Sequence, residues 1–290
     1  FTTDEYKRYI SDYNAYVLPF ETPQKLHAIV NGIILENNDL AKKLGVTNQY
    51  LSRTLPLDIR GLKSFITELR ERRAFLQNLA KIDEVIEALT MTLGGKTING
   101  SRPSVELEKW TNVALNILND AKLIKPNSPL GDDNEPTFTA PAGVPDIECY
   151  YDGFGAICEV TMLTGRDQWY NEGQPVMRHL RSFENSNYKQ SNYCLFIAPR
   201  LHTDTVNTFW NAVKYEYEGQ KQKIIPISIT VLVGILEAVR TVKAAQKPFT
   251  KDHLRDLYDQ CIDISSVSNS TKWGEHIGQV VDNWSASLVG

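Results

Sequence analysis

The residues best suited to chemistry gather in one stretch, Val144-Pro145-Asp146-Ile147-Glu148-Cys149-Tyr150-Tyr151-Asp152-Gly153-Phe154-Gly155-Ala156-Ile157-Cys158-Glu159-Val160-Thr161. It reads as a tight β-hairpin that delivers two acids, Asp146 and Glu159, to one place. Carboxylates so placed suit Mg²⁺, which takes oxygen ligands and keeps room for water and phosphate. A cation beside phosphate polarises the phosphoryl oxygen, lowers the pKa of water and offsets developing charge, which is what phosphodiester hydrolysis needs. Glu159 sits in the apolar run AICEVTML, where a carboxylate is costly unless paired or metal-bound.

Other residues extend the pair. Glu108 lies on a predicted helix just upstream, and Glu172 and His179, seven residues apart, share one face of the helix that follows. A histidine beside such acids can position water or transfer a proton. Pro175 lies between them and is expected to kink that helix. Glu148 and Asp152 share the strand parity of Asp146, and Glu148 either flanks the site or is simply solvated. Taken alone, an Asp and a Glu on a hairpin form a pattern of low specificity, more often solvent-facing than catalytic. Lysine usually follows the second acid by two positions in such sites; here that position is Thr161, which carries no charge. His179 is the first candidate to replace it, ahead of Arg178 and Arg181.

The elements that position these residues follow from hydrophobic periodicity. Residues 1 to about 95 read as helical, with one long pattern from Leu62 to Leu93. Gly94-Gly95 and Thr97-Ile98-Asn99-Gly100 break it and place a domain boundary near 100. Ser104 is the expected N-cap of a helix running to about Leu123, and 125–143, rich in Pro, Asn, Asp and Gly, reads as a loop. Strands are expected at about 146–151, 155–162, 192–198 and 223–229. Helices are expected at about 167–184, 203–217, 230–242, 250–261 and 274–287. The fold class is therefore α/β, a mixed sheet flanked by helices.

Composition is that of a folded globular chain of one large or two modest domains. The longest apolar run, Ile224 to Leu236, is interrupted by Pro226, Ser228, Thr230 and Gly234, too short and broken for a membrane span. No signal peptide is evident, which points to the cytoplasm. The four cysteines form no C-x-x-C pair and read as buried free thiols. Net charge is −4; residues 1–100 carry 13 basic and 12 acidic side chains, leaving 18 and 23 in the remainder. That balance excludes a generic polycation and predicts weak nonspecific affinity for DNA. The chain opens on Phe1 with a helical pattern almost at once, as expected for a piece of a longer protein.

The run V-P-D-I-E-C-Y-Y-D-G-F-G-A-I-C-E-V-T-M-L-T-G-R-D-Q-W-Y-N-E-G-Q-P-V-M-R-H-L, with the upstream V-E-L-E-K-W, resembles the cleavage half of the BstNBI-type nicking and type IIS restriction endonucleases, the AlwI-like group. The resemblance implies a PD-(D/E)xK core over 101–290, a metal-dependent DNA endonuclease activity and a bacterial cytoplasmic setting. It implies Mg²⁺, or Mn²⁺, held by Glu108, Asp146, Glu159 and the Val160 carbonyl. Catalysis would rest on Asp146, Glu159, Glu172 and His179. It further implies double-stranded DNA as substrate, recognised through a region upstream of Phe1, with one strand nicked. A small catalytic subunit would join as a heterodimer for double-strand cleavage.

A second signal lies in the helical region 1–100. Asp39 to Arg53 resembles a helix-turn-helix, with Ala41 at the helix contact, Gly45 at the turn and Val46 and Leu51 in the core. Thr47, Asn48, Gln49, Ser52 and Arg53 would open the second helix, where DNA contacts are made. The same pattern serves equally for packing alone. The alternative to an enzyme is thus a non-catalytic DNA-binding module or a docking subunit.

Overall fold

The computed structural model describes residues 3–12, 22–46, 58–95, 100–118, 121–131, 135–245, 247–266 and 269–289. The chain divides into two compact units, 1–80 and 81–290. The first holds α1 (Thr3–Asp12), α2 (Pro23–Lys43) and α3 (Ile59–Ala80). Thr22 caps α2, its Oγ1 accepting from the Lys25 amide at 3.4 Å, and Pro23 takes the first turn, where a missing N–H costs nothing. Leu26, Val30 and Ile33 of α2 form one core with Leu62, Phe65, Ile66 and Leu69 of α3.

α2 ends where Gly45 adopts a φ of 64°. The Val46 amide donates to the Ala41 carbonyl at 2.9 Å and the Gly45 amide to Lys42 at 3.2 Å, a Schellman closure that favours glycine. These residues are the first half of the helix-turn-helix-like segment. Its second half, with Thr47, Asn48, Gln49, Ser52 and Arg53, lies outside the described residues.

The second unit opens with α4 (Ile82–Thr92), followed by α5 (Pro103–Leu118). The single helical pattern from Leu62 to Leu93 is therefore two helices, α3 and α4. The second unit also includes α8 (Ile229–Ala244), and α4 packs on α5 and α8 with Val85 and Leu89 fully buried. The boundary expected near residue 100 thus falls inside this unit. Ser104 is not the cap of α5: the helix starts at Pro103, and Glu106 N–H donates to the Arg102 carbonyl at 3.1 Å.

Five strands form a mixed sheet in sequential order: β1 (Leu123–Pro126), β2 (Ile147–Tyr150), β3 (Phe154–Val160), β4 (Ser191–Ala198) and β5 (Ile224–Ser228). β1, β2 and β3 pair antiparallel, and β3, β4 and β5 pair parallel. The expected α/β mixed sheet flanked by helices is what the chain forms. β1 was not expected; the composition of 125–143 hides a four-residue edge strand. α6 (Gly165–Ser186) and α7 (Thr203–Lys214) make the two parallel crossovers. α9 (Lys251–Asp263) and α10 (Ser270–Val289) close the unit, pinned where the buried Trp273 indole donates to the Cys261 carbonyl at 3.0 Å. β4 is buried along nearly its whole length, as a strand covered on both faces must be. The four cysteines are buried free thiols. No helix among the described residues is long and apolar enough to cross a membrane.

Candidate active site

The β2–β3 hairpin sets the first two acids. Gly153, at a φ of 93°, lets the chain reverse, and the register pairs Ile147 with Cys158. One step further along that register, Asp146 stands opposite Glu159. Asp146 Oδ2 accepts from the Val160 amide at 2.7 Å, just past the end of the ladder. Asn127 holds the approach to Asp146: its amide donates to the Asp146 carbonyl at 2.9 Å and its Nδ2 to the Pro145 carbonyl at 2.8 Å.

α5 and α6 bring the other groups. Glu108, buried on α5, accepts the Ala140 amide on both oxygens, at 3.0 and 3.3 Å. His179, on α6, places Nδ1 at 2.8 Å from Glu159 Oε1. Glu172 lies two turns earlier on the same face of α6. The five side chains Glu108, Asp146, Glu159, Glu172 and His179 thus converge at the C-terminal end of β3, in the second unit.

The site is electrostatically strained by its acids. Burial pushes Glu108 up to about 8, helped by the charge of Asp146. Burial, then Glu159 and Glu172, raises Asp146 well above the ordinary aspartate value. Glu159 is driven up likewise by burial and by Glu172 and Glu108. Burial raises Glu172 despite the Thr161 hydroxyl and His179. His179 is lowered by burial and by the neighbouring Arg178 charge, so it is neutral near pH 7. With Glu159 ionised, Nδ1–H donates to it and Nε2 keeps its lone pair; with Glu159 protonated, the roles exchange.

Four carboxylates raised by burial, three of them also by the charge of neighbouring acids, suit a hard cation. They are not gathered into a ready ligand shell: among the described residues no group of three His, Cys, Asp or Glu side chains has metal-holding geometry. Three of the acids are instead turned onto protein partners, Glu108 onto Ala140, Asp146 onto Val160 and Glu159 onto His179. The donor chemistry therefore fits a divalent cation, with side-chain rotation needed to collect the oxygens.

The chain matches the AlwI restriction endonuclease family over residues 1–235. It belongs to that family. AlwI-family proteins are restriction endonucleases, so the chain is a DNA endonuclease by descent. Among solved structures, it is similar to the small subunit (R.BspD6I2) of the heterodimeric restriction endonuclease R.BspD6I. Identity is 19%, the TM-score is 0.54, and the match covers 71% of this chain and 97% of that one. At that identity the likeness establishes the fold. No curated protein sequence matches the chain.

Within this AlwI-family site, the residues left open by sequence find definite places. Glu148 does not join the acids. Its Oε1 accepts from Lys125 and Asn127, each at 3.0 Å, and its Oε2 from the Tyr150 hydroxyl. Burial alone would raise its carboxyl, but hydrogen bonds from Tyr150, Asn127 and Lys125 and the Lys125 charge outweigh it and hold it low. Asp152 lies in the exposed hairpin turn, paired with Lys122 at 2.8 Å. Arg181 is committed elsewhere: it donates to Glu184 at 2.8 Å, to the Gln220 carbonyl at 3.0 Å and to the Tyr217 carbonyl. α6 runs through Pro175 as one helix from Gly165 to Ser186. The Val160 carbonyl shares the strand side of its N–H, which faces Asp146 beyond the last β2 pair.

Two residues beside the site escaped sequence reasoning: Thr161, whose hydroxyl oxygen accepts from the Leu163 amide at 3.1 Å, and Gln168, whose side chain joins the loops after β3 and β4. A polar residue in place of a charged one signalled only a loss. Gln168 offered no pattern beyond being a polar side chain near the start of a helix.

Proposed function

We propose that the chain hydrolyses a phosphodiester of double-stranded DNA in a Mg²⁺- or Mn²⁺-dependent manner, nicking one strand at the acidic centre. The observation that carries this reading is the convergence of Glu108, Asp146, Glu159 and Glu172 into one buried, mutually repelling cluster with His179 against it. Within a family of DNA endonucleases, such a cluster is costly to fold unless it serves a cation. Glu108, Asp146, Glu159 and the Val160 carbonyl are the groups to hold it. A cation there would supply neutralisation and polarisation of the scissile phosphate. His179, neutral and oriented through Nδ1 by Glu159, presents Nε2 to take a proton from attacking water. Glu172 adds negative charge beside His179 and stabilises the imidazolium once formed.

A single acidic centre cuts a single strand, so double-strand cleavage needs a second centre from a partner subunit. The likeness to the small subunit of a heterodimeric enzyme supports a partner of that kind.

The test is supercoiled plasmid with Mg²⁺ against the same mixture with EDTA. Open-circle product without linear DNA is expected, and only with metal. Asp146→Ala and Glu159→Ala are expected to abolish it, and His179→Ala to lower kcat by roughly 10²–10⁴-fold. Nicking by a folded Glu159→Ala protein would remove the assignment. Tight binding of a specific site without any cutting would favour a DNA-binding module instead.

A further inference from the structure

Glu108 is held by a segment outside its own helix, the second half of the connection between β1 and β2. Residues 135–140 lie across α5 and touch it at three places. Glu135 pairs with Lys109 at 2.5 Å. The Arg102 guanidinium lies over the Phe138 ring, 5.3 Å from its centroid. The Ala140 amide donates to both Glu108 oxygens, at 3.0 and 3.3 Å.

This strap has firm roots and a lightly held middle. At its start, the Thr137 amide donates to the Pro129 carbonyl and the Gly131 amide to the Glu135 carbonyl, each at 2.9 Å. At its end, Asn127 holds the Pro145 and Asp146 carbonyls. Between the roots, residues 141–144 are exposed and Phe138 is 52% exposed. Such a stretch can open locally without unfolding the unit that carries it. The strap also joins two acids of the cluster. It touches Glu108 through Ala140 and runs on, six residues later, into Asp146. The Asn127 clamp lets the middle move while Asp146 stays in place.

The Ala140 N–H sits on the edge of Glu108 between its two oxygens. A carboxylate chelates a cation through that same edge. An N–H presents positive charge there, so amide and cation exclude each other.

We propose that residues 135–140 form a strap that competes with the divalent cation for Glu108. Cation loading releases Ala140, and Ala140, Phe138 and Arg102 set how tightly the cation is held. Coupling of this kind is reciprocal: a change that loosens the strap tightens the cation. The inference rests on the reading of Glu108 as a cation ligand.

The test uses the full chain without DNA and compares wild type with Phe138→Ala and Glu108→Gln. Mn²⁺ affinity is read by electron paramagnetic resonance, and exchange of the Ala140 amide by NMR with and without saturating Mg²⁺. In wild type, Mg²⁺ is expected to speed Ala140 exchange by about 5–150-fold, the range of a typical coupling between sites. Phe138→Ala changes a half-exposed side chain and removes the contact with Arg102. It is expected to bind Mn²⁺ about two- to fivefold more tightly, as loss of an exposed cation–π contact from the strap implies. Glu108→Gln keeps an oxygen for the Ala140 amide and removes the charge. Its Ala140 exchange is expected to be the same with and without Mg²⁺.

Wild-type Ala140 exchange that is unchanged or slowed by Mg²⁺ overturns the inference. So does a Phe138→Ala protein with unchanged or weaker Mn²⁺ affinity, since a strap that merely positions Glu108 would hold the cation less well once loosened. Faster exchange with Mg²⁺ in Glu108→Gln overturns it too. In each case a wild type that binds Mn²⁺ and nicks leaves the functional reading standing. A wild type that neither binds Mn²⁺ nor nicks in its presence overturns both.

Discussion

The acids of this site are held in a state they resist. Glu108 has its carboxyl pushed up to about 8 from an ordinary 4.5. Between those values the folded protein keeps a proton that the unfolded chain has released. Stability therefore falls as pH rises from about 4.5 to about 8, and the loss is complete above that. Asp146 and Glu159 are raised too, so their contributions run the same way. The metal-free protein is expected to melt at progressively lower temperature across that window, with Glu108→Gln flattening part of the slope. Mg²⁺ is expected to raise the melting temperature more at pH 8 than at pH 5, because binding to the folded state stabilises it and needs ionised ligands. Scanning fluorimetry over pH with and without metal measures both effects. A slope unchanged by Glu108→Gln would remove Glu108 from the account.

At the scale of elements, the site depends on how closely β3 approaches its neighbours. Gly155 in β3 has no room for a side chain. A Cβ there would meet Asn192 Oδ1 at 2.6 Å, Phe183 Cε1 at 2.8 Å and Gln190 Nε2 at 3.0 Å. Gly155 pairs with Asn192 across the parallel β3–β4 ladder, and Phe183 belongs to α6, the helix that carries Glu172 and His179. Gly155→Ala is expected to destabilise the protein by about 1–3 kcal/mol through overpacking, read as a lower urea midpoint at unchanged m-value. An unshifted midpoint would show that Asn192 and Gln190 give way freely.

The same elements show what sequence could and could not disclose. β2, β3 and β4 were legible because their apolar residues alternate or run together between turn signals. Asp146 and Glu159 were legible because the hairpin register follows from the turn. β1 was not, since four residues beside prolines carry too short a pattern and its exposed edge needs little hydrophobic content. The break between α3 and α4 was hidden because Lys81 interrupts neither helical propensity nor apolar spacing. Thr161 and Gln168 were illegible for a different reason. Their meaning lies in which backbone carbonyls and amides come near them, and those come from loops far apart in sequence.

For the molecule as a whole, the division after Ala80 has a consequence for where the activity resides. Glu108, Asp146, Glu159, Glu172 and His179 all lie within 81–290. That unit has its own core, which includes α4: Ile82, Val85 and Leu89 are buried there against α5 and α8. A chain of residues 81–290 is expected to unfold in one cooperative transition and to retain metal-dependent nicking of plasmid. A chain of residues 101–290 carries the same five site residues and lacks α4. It loses about 1.5–3 kcal/mol for each large apolar side chain no longer buried, enough over three residues to consume much of a typical domain's stability. It is expected to melt well below the longer chain, with its nicking lost in parallel with its folding. Equal melting temperatures for the two chains would show that α4 is an accessory and return the boundary to the Gly94-Gly95 break.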